Sequence, residues 1–303
     1  MSLLSRWRAA HPEPTLDAHA LPPGVRLGGV RIGSRLAAGT QGQVYAATDE
    51  ASGAPRVLKA WADEDPGAAG EAGRRHFVEH GERLTRLIHP GIVRIHGGGV
   101  ARGVAFVVMD RAAGHPLARY ARPGRLLPEP VVLEIAARLA EALACAHRHG
   151  VVHRDIKPDN AFFDPASGDV GLADFGLARS ESADATRSGL FLGSPAYMAP
   201  ELLAGAVPDA ASDLYALGVL VYELLAGCPP FEGASLGDLM RSVADAPPLP
   251  LATRRPELDA PRTTALDALL APLLAKSPAA RCRDGDAWAA DARAARARWG
   301  APT

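Results

Sequence analysis

The chain has 303 residues, of which 48% are hydrophobic and 22% charged, proportions that are ordinary for a globular protein. Its formal net charge of −1 excludes a strong overall electrostatic field that would attract nucleic acid or an anionic membrane. No apolar run approaches the ~20 residues of a membrane span. The three cysteines are widely spaced and form no CxxC pair, which favours reduced thiols in the cytoplasm over a disulfide framework.

Residues 1–28 contain several prolines among alanine and histidine, which predicts an N-terminal extension or linker. Short β-like runs follow, and turn-forming residues separate the second from the third. The predicted strands span residues 30–36, 43–48, 56–61, 92–95 and 104–109. One helix interrupts them, from about Arg74 to Leu87. His89-Pro90 ends it, because proline disfavours helix at the residue before it.

The second half of the chain is predicted to be helical. Apolar residues at intervals of four, from Val131 to Leu143, indicate an amphipathic helix over residues 130–149. The largely apolar run from Asp213 to Ala226 predicts a buried central helix, and further helices are expected at 266–274 and 286–299. A small β-rich lobe with one helix is therefore expected to precede a larger helical lobe.

The stretch from His153 to Asn160, followed by Asp174-Phe175-Gly176, carries the clearest chemistry. It places an acid, a lysine, an amide and a second acid within one short span. Phosphoryl transfer to a hydroxyl needs this set: one carboxylate orients the hydroxyl, a lysine neutralises the moving phosphoryl, and an amide and a carboxylate hold Mg²⁺.

A glycine-rich segment, residues 36–45, lies between two predicted strands. Glycines there let backbone N–H groups approach phosphate oxygens without a clash from Cβ. Such a turn alone could equally be an ordinary hairpin. Lys59, seventeen residues after Gly42 and on the next strand, strengthens the nucleotide interpretation, because its amine could reach the α- and β-phosphates.

These motifs resemble eukaryotic-type Ser/Thr protein kinases, in their bacterial (Hanks-type) branch, over about residues 30–281. The resemblance implies an α+β, bilobal protein-kinase fold with a β-rich N-lobe and a larger helical C-lobe. It implies a kinase domain at 29–298, divided into an N-lobe at about 29–109, a hinge at 110–114 and a C-lobe at 115–298, with a tail at 299–303. ATP and Mg²⁺ are the implied cofactors.

The family pattern carries over to individual positions. Asp155, Lys157 and Lys59 are the implied catalytic residues, and Asn160 and Asp174 the implied ligands of Mg²⁺. The implied nucleotide contacts are Leu36, Gly39, Gly42, Val44, Val57, Lys59, the gatekeeper Met109, the hinge residues Asp110 and Ala112, and Phe162 under the adenine. Ala37 departs from the pattern, since it stands in place of the first glycine of the loop.

Residues 193–201 resemble the end of an activation segment. The family pairs Glu201 with a late arginine, for which Arg281 fits, and gives Asp213 hydrogen bonds to the catalytic-loop backbone. Arg154 beside Asp155 marks kinases switched by phosphorylation of the activation loop, because a phosphate gains charge-assisted hydrogen bonds from arginine. Thr186 and Ser188 stand at the usual distances for such phosphosites, although each could equally be an ordinary surface hydroxyl.

The sequence does not decide which residue pairs with Lys59. Active kinases of this family use a helix glutamate, but the usual spacing from His89 points to His80 rather than Glu79. A one-residue insertion would restore Glu79 as the partner of Lys59. The apolar pattern favours the other register, because His80 shares a helix face with Leu84.

The leading hypothesis is a cytoplasmic, ATP- and Mg²⁺-dependent protein kinase acting on serine and threonine hydroxyls of proteins, including its own activation loop in trans. Neither a nucleic-acid partner nor a membrane span is expected. The alternative is a pseudokinase that binds nucleotide as a scaffold or regulator, suggested by Ala37 and the open partner of Lys59. A small-molecule phosphotransferase is the third hypothesis. Residues 193–201 argue against it, because they resemble a segment that positions a peptide substrate. The chain is expected to be free-standing or cut from something longer.

Overall fold

The structure, a computed structural model, describes residues 15–39, 42–62, 81–175 and 195–299. The described residues form two compact units. The first, called the N-lobe below, contains the residues up to His89 and Val93–Ala112. The second, called the C-lobe, contains Pro90–Ile92 and most of the chain from Ala113 onward.

The N-lobe is built on an antiparallel sheet with the strand order β1-β2-β3-β4-β6-β5. Its strands are β1 (Arg26–Leu27), β2 (Val30–Gly39), β3 (Gly42–Asp49), β4 (Pro55–Ala62), β5 (Ile95–Ala101) and β6 (Val104–Met109). Successive side chains point to opposite faces of a strand, so one face collects Tyr45, Leu58 and Phe106 into a buried core. Helical residues 81–85 also belong to this lobe, and Leu84 and Leu87 are buried.

Residues 15–27 pack on this sheet, although the sequence predicts an extension or linker there. Ala18 and Leu21 are buried within the sheet's core. The Leu16 backbone N–H donates to Arg102 O at 2.8 Å, and the Leu21 N–H donates to the Tyr45 hydroxyl at 3.1 Å. This part of the chain is therefore not a linker, because its apolar side chains and backbone groups find partners on the sheet.

The strand predicted at residues 92–95 is wrong in position, because β5 begins at Ile95 and continues to Ala101. Three consecutive glycines, 97–99, hide this strand from sequence patterns, since glycine has a low strand propensity. The structure shows why a side chain would not fit at Gly98: a Cβ there would lie 2.7 Å from Phe106 O on the neighbouring strand.

The C-lobe is mainly helical. Its helices are α1 (Glu129–Arg148), α2 (Pro200–Leu203), α3 (Ala210–Ala226), α4 (Leu236–Asp245), α5 (Leu251–Arg254), α6 (Ala260–Leu274) and α7 (Gly285–Arg298). A small sheet consists of β7 (His115–Pro116), β8 (Ala161–Phe163) and β9 (Val170–Leu172). Short 3-10 helices occur at Leu117–Arg119, Pro195–Tyr197 and Pro278–Ala280.

Helix α3 is the buried centre of the C-lobe. It begins three residues before the predicted start, because Asp209 and Ser212 form a reciprocal capping box at its N-terminus. Gly227 ends it in the left-handed conformation, with φ +81°. A Cβ at Gly218 would lie 2.7 Å from Leu273 Cβ, so this glycine permits close packing of α3 on α6.

Candidate active site

The loop between α1 and β8 brings together three of the predicted catalytic and metal-binding residues. Lys157 Nζ donates to Asp155 Oδ2 at 2.7 Å, and Asn160 Nδ2 donates to the same oxygen at 2.9 Å. Asn160 Nδ2 also donates to the backbone oxygen of Asp155 at 2.8 Å. The side chain of Asp155 is only 9% exposed, so its direction is fixed by these donors and its charge is balanced by Lys157.

Asp213, at the start of α3, supports this loop from within the C-lobe. Its carboxylate accepts the backbone N–H of His153 at 2.7 Å and that of Arg154 at 2.9 Å. His147 Nε2 lies 2.8 Å from the same carboxylate. Arg154 has φ +69°, a conformation that is unfavourable for a residue with a Cβ. The two N–H bonds to buried Asp213 compensate for that strain and hold the turn that leads to Asp155.

His153 is fully buried beneath the loop and connects it to the segment after β9. Its Nε2 lies 2.8 Å from Ala173 O, and its Nδ1 accepts the Asp155 N–H at 3.3 Å. Its ring centroid lies 4.5 Å from that of buried Phe175. Burial lowers the pKa of His153, so the ring is neutral, with Nε2 donating to the carbonyl. This contact joins the catalytic loop to the segment that carries Asp174.

Asn160 and Asp174 form a donor set of the kind that Mg²⁺ prefers. Within the described residues, both side-chain hydrogen bonds of Asn160 use Nδ2, which leaves the side-chain oxygen Oδ1 as an acceptor. Asp174 adds a carboxylate from a left-handed backbone position, with φ +64°. Mg²⁺ is commonly bound by one or two protein oxygens together with water and phosphate oxygens. The residues present fit that ion, even though the described part of the chain has no cluster of three or more His, Cys, Asp or Glu ligands.

The described residues of the glycine-rich segment lie at the end of β2 and the start of β3, two antiparallel strands in which Gly39 pairs with Gly42. Gly42 has φ +112°, and a Cβ there would lie 2.5 Å from Ala60 O on β4. Glycine is therefore required at this position for the packing of these strands as well as for its backbone conformation. Leu36, which precedes the glycines, is 45% exposed.

Lys59 lies in the middle of β4, opposite Val44 on β3 and Val107 on β6. Directly paired residues point to the same face, as do residues two apart on one strand. Lys59, Val44 and Val57 therefore share the face of the sheet that does not contain Tyr45 and Leu58. Met109, which pairs with Val57 at the end of β6, lies on this face as well.

The residue after β6, Asp110, is held by both its backbone and its side chain. Its N–H donates to Arg94 O at 2.8 Å. Its Oδ1 accepts Arg56 Nη1 at 2.8 Å and lies 2.8 Å from His96 Nε2. Ala112, two residues later, is half-buried. In the C-lobe, Phe162 is half-buried in the centre of β8, where its backbone pairs with Pro116 and Gly171.

Glu201 and Arg281 form a buried, bidentate ion pair within the C-lobe. Arg281 Nη1 and Nη2 lie 2.5 and 2.7 Å from the two carboxylate oxygens of Glu201. The guanidinium is fully buried, donates to three backbone oxygens and lies 4.8 Å from the ring centre of Tyr215. The pair therefore fixes Glu201, the last residue of the segment 193–201, against α3.

Several predicted residues lie outside the part of the chain that the structure describes. They are Glu79 and His80, proposed as alternative partners of Lys59, the phosphosites Thr186 and Ser188, and Gly176 after Phe175. The partner of Lys59 therefore stays open between Glu79 and His80.

Sequence reasoning missed some of the residues that support the site. His147 takes part in the hydrogen bonds around Asp213. In the sequence, only its position near the end of α1 could have indicated this role. Arg56 and His96 converge on Asp110. Arg56 did carry a signal, because it stands where the V-A-I-K strand pattern of kinases has an apolar residue.

Comparison with known proteins agrees with this geometry. The family model described as a protein kinase domain matches residues 30–290. The chain therefore belongs to the protein kinase family, and the predicted fold, α+β and bilobal with a β-sheet N-lobe and a helical C-lobe, is confirmed.

The similar curated proteins are bacterial serine/threonine-protein kinases. The chain is 36% identical over 260 residues to pkn2 of Myxococcus xanthus, a match that covers 84% of this chain and 31% of that protein. It is 40% identical over 225 residues to the DNA damage-responsive kinase RqkA of Deinococcus radiodurans, covering 71% and 32%. It thus spans about a third of the length of these relatives.

Among solved structures, the kinase domain of Mycobacterium tuberculosis PknI matches with a TM-score of 0.71 and 31% identity, covering 92% of this chain and all of that one. None of the helices in the described residues combines the length and the apolar character that a membrane span requires.

Proposed function

We propose that this protein is an ATP- and Mg²⁺-dependent protein kinase that transfers the γ-phosphoryl group to serine and threonine hydroxyls of proteins, its own activation loop among them. The observation that carries the proposal is the geometry of Asp155. Its carboxylate is shielded, paired with Lys157 and oriented by Asn160, on a loop that Asp213 holds from below. Relatives that are serine/threonine kinases support the same assignment.

In the proposed reaction, Asp155 orients the substrate hydroxyl and accepts its proton as the oxygen forms a bond to the γ-phosphorus and the bond to the β–γ bridging oxygen breaks. Lys157 neutralises charge on the transferred group. Asn160 and Asp174 would hold Mg²⁺, which supplies positive charge to the phosphate oxygens when it is bound.

The N-lobe residues are proposed to bind the nucleotide. Lys59 contacts the α- and β-phosphates, and the backbone around Gly39 and Gly42 covers the phosphates. Leu36, Val44, Val57 and Met109 line the adenine, and the backbone from Asp110 to Ala112 bonds to its edge. Phe162 is the proposed C-lobe contact of the base. We place the kinase domain at residues 29–298 and the protein in the cytoplasm.

The decisive experiment is transfer of labelled phosphate from ATP in the presence of Mg²⁺, to the protein itself and to a generic basic protein. Replacing Asp155 with Asn should reduce the rate at least about 100-fold, because it removes the proton acceptor. Asp159→Asn is the matched control: this exposed carboxylate lies on the same loop, and the variant should keep most of the activity. Wild-type protein that binds ATP but transfers no phosphate would favour the pseudokinase alternative.

Labelled ATP can also test whether one chain phosphorylates another chain of the same protein, that is, autophosphorylation in trans. Wild-type protein is mixed with a tagged Asp155→Asn chain, and the tagged chain is then recovered. Label on Thr186 or Ser188 of the inactive chain is expected. If the inactive chain stays unlabelled while the wild type labels itself, transfer in trans is refuted. Label only at other positions would refute these two phosphosites.

A further inference from the structure

Three side chains converge at the end of strand β6, and all three lie in the N-lobe. Asp110 Oδ1 is 2.8 Å from Arg56 Nη1 on β4 and 2.8 Å from His96 Nε2 on β5. We call Arg56, His96 and Asp110 the hinge clamp. Since β4 and β5 flank β6 on opposite sides, the clamp joins three neighbouring strands of the sheet at one oxygen atom.

The two donors of the clamp are partly sheltered, whereas the carboxylate that accepts their bonds is more open to solvent. The side chains of Arg56 and His96 are 19% and 26% exposed, and that of Asp110 is 42% exposed. A charge-assisted bond from a partly sheltered donor constrains geometry better than a fully exposed pair, which contributes little. Arg56 Nη1 also donates to Pro55 O at 3.2 Å, and Arg56 Nε is buried without a hydrogen-bond partner within the described structure. Burying an Nε–H group without a partner is costly, so an arginine at a position that is apolar in the V-A-I-K pattern calls for a compensating role.

Asp110 is constrained on its backbone as well. Its N–H donates to Arg94 O at 2.8 Å, and Arg94 Nη1 donates in turn to Leu87 O at 3.0 Å. The side chain and the backbone N–H of Asp110 are thus both held by other residues of the N-lobe. These bonds limit rotation of the Asp110 side chain and of its backbone about the N–Cα bond.

We propose that the hinge clamp is a specificity device for the nucleotide base. Arg56 and His96 act as positioning residues: through Asp110 they fix the backbone carbonyl that accepts the adenine amino group. The proposal rests on the proposed binding of ATP at this hinge. A rigid carbonyl favours a base with an amino donor over guanine, which presents an oxygen at the same place, because a fixed acceptor cannot turn away from a second acceptor.

The test compares ATP and GTP, both as equilibrium Kd values from calorimetry and as KM and kcat. Arg56→Val, which restores the usual apolar residue, and His96→Phe should each raise Kd and KM for ATP about 3- to 10-fold. The values for GTP should change less than 2-fold, so the preference for ATP falls. Asp110→Asn should show the same loss of preference, and Asp110→Glu, which retains the charge, should recover part of it.

Glu50→Gln serves as the matched control, because it removes the Arg26–Glu50 pair, also 2.8 Å long, from the N-lobe at a position away from the hinge. It should leave both nucleotide affinities unchanged. A merely structural role would lower the melting temperature while ATP and GTP affinities move together, and that result would overturn the proposal. Binding measurements separate the two hypotheses: protein that binds ATP without transferring phosphate refutes the proposed function, whereas an unchanged ATP-to-GTP ratio in the variants refutes the clamp.

Discussion

Replacing Arg281 with Met should destabilise the C-lobe strongly. The change leaves the Glu201 carboxylate, whose side chain is 18% exposed, without the two guanidinium bonds of 2.5 and 2.7 Å. Removing one partner of a buried ion pair costs about 3–5 kcal/mol, because a charge remains in a poorly solvated place. Backbone oxygens of Ala275, Ala211 and Lys276 also lose a donor. A loss of about 4 kcal/mol corresponds to a folding equilibrium constant about a thousandfold smaller.

Urea unfolding, followed by tryptophan fluorescence and circular dichroism, measures this loss. The double variant Arg281→Met with Glu201→Gln should recover part of the stability, because no unpaired charge is then buried. Arg283→Met, at an exposed arginine two residues away, should change the free energy of unfolding by less than about 0.5 kcal/mol. A loss below about 1 kcal/mol for Arg281→Met, or no recovery in the double variant, would refute the reasoning.

Three further predictions concern backbone conformation, pH and the partner of Lys59. Gly42→Ala should lower the melting temperature more than Gly53→Ala, because both have positive φ but only Gly42 lacks space for a Cβ; equal losses would contradict this. Burial lowers the pKa of His153 below the unfolded value of about 6.5, so the unfolded chain takes up a proton first as pH falls, and stability should decline below about pH 6.5. That decline, measured by urea unfolding from pH 7.5 to 5, should be smaller in His153→Gln, and an unchanged slope would count against it. Glu79→Gln should reduce phosphoryl transfer far more than His80→Gln if Glu79 holds Lys59, and the reverse order would assign the role to His80.

The catalytic loop could be predicted from sequence because its chemistry is local. Asp155, Lys157 and Asn160 lie within six residues, and their bonds to one another span a single turn of chain. Helix α1 was likewise predicted to within one residue at each end, since its apolar period is regular over its whole length.

Other features depend on partners distant in the chain. Helix α4 and its Ser235 cap were missed, because the helix presents only Val243 as a buried side chain and so carries a short apolar pattern. Helix α6 begins six residues before the predicted start, because Asp259 caps it through the Arg262 N–H. The hinge clamp joins residues up to 54 positions apart, and at that separation residue patterns along the chain do not reveal which side chains pair.

The packing of residues 15–27 has a consequence for association between chains. An uncovered strand edge offers its N–H and C=O groups to any passing chain and promotes aggregation. Here the Gly24 N–H donates to Ile32 O and the Ile32 N–H donates to Val25 O, both at 2.8 Å, while Leu27 pairs with Val30. The segment therefore occupies the start of the outer edge of β2. A protein trimmed to begin at Val30 would expose that edge together with the apolar surface that Ala18 and Leu21 now cover, and it should self-associate on concentration where the longer chain does not.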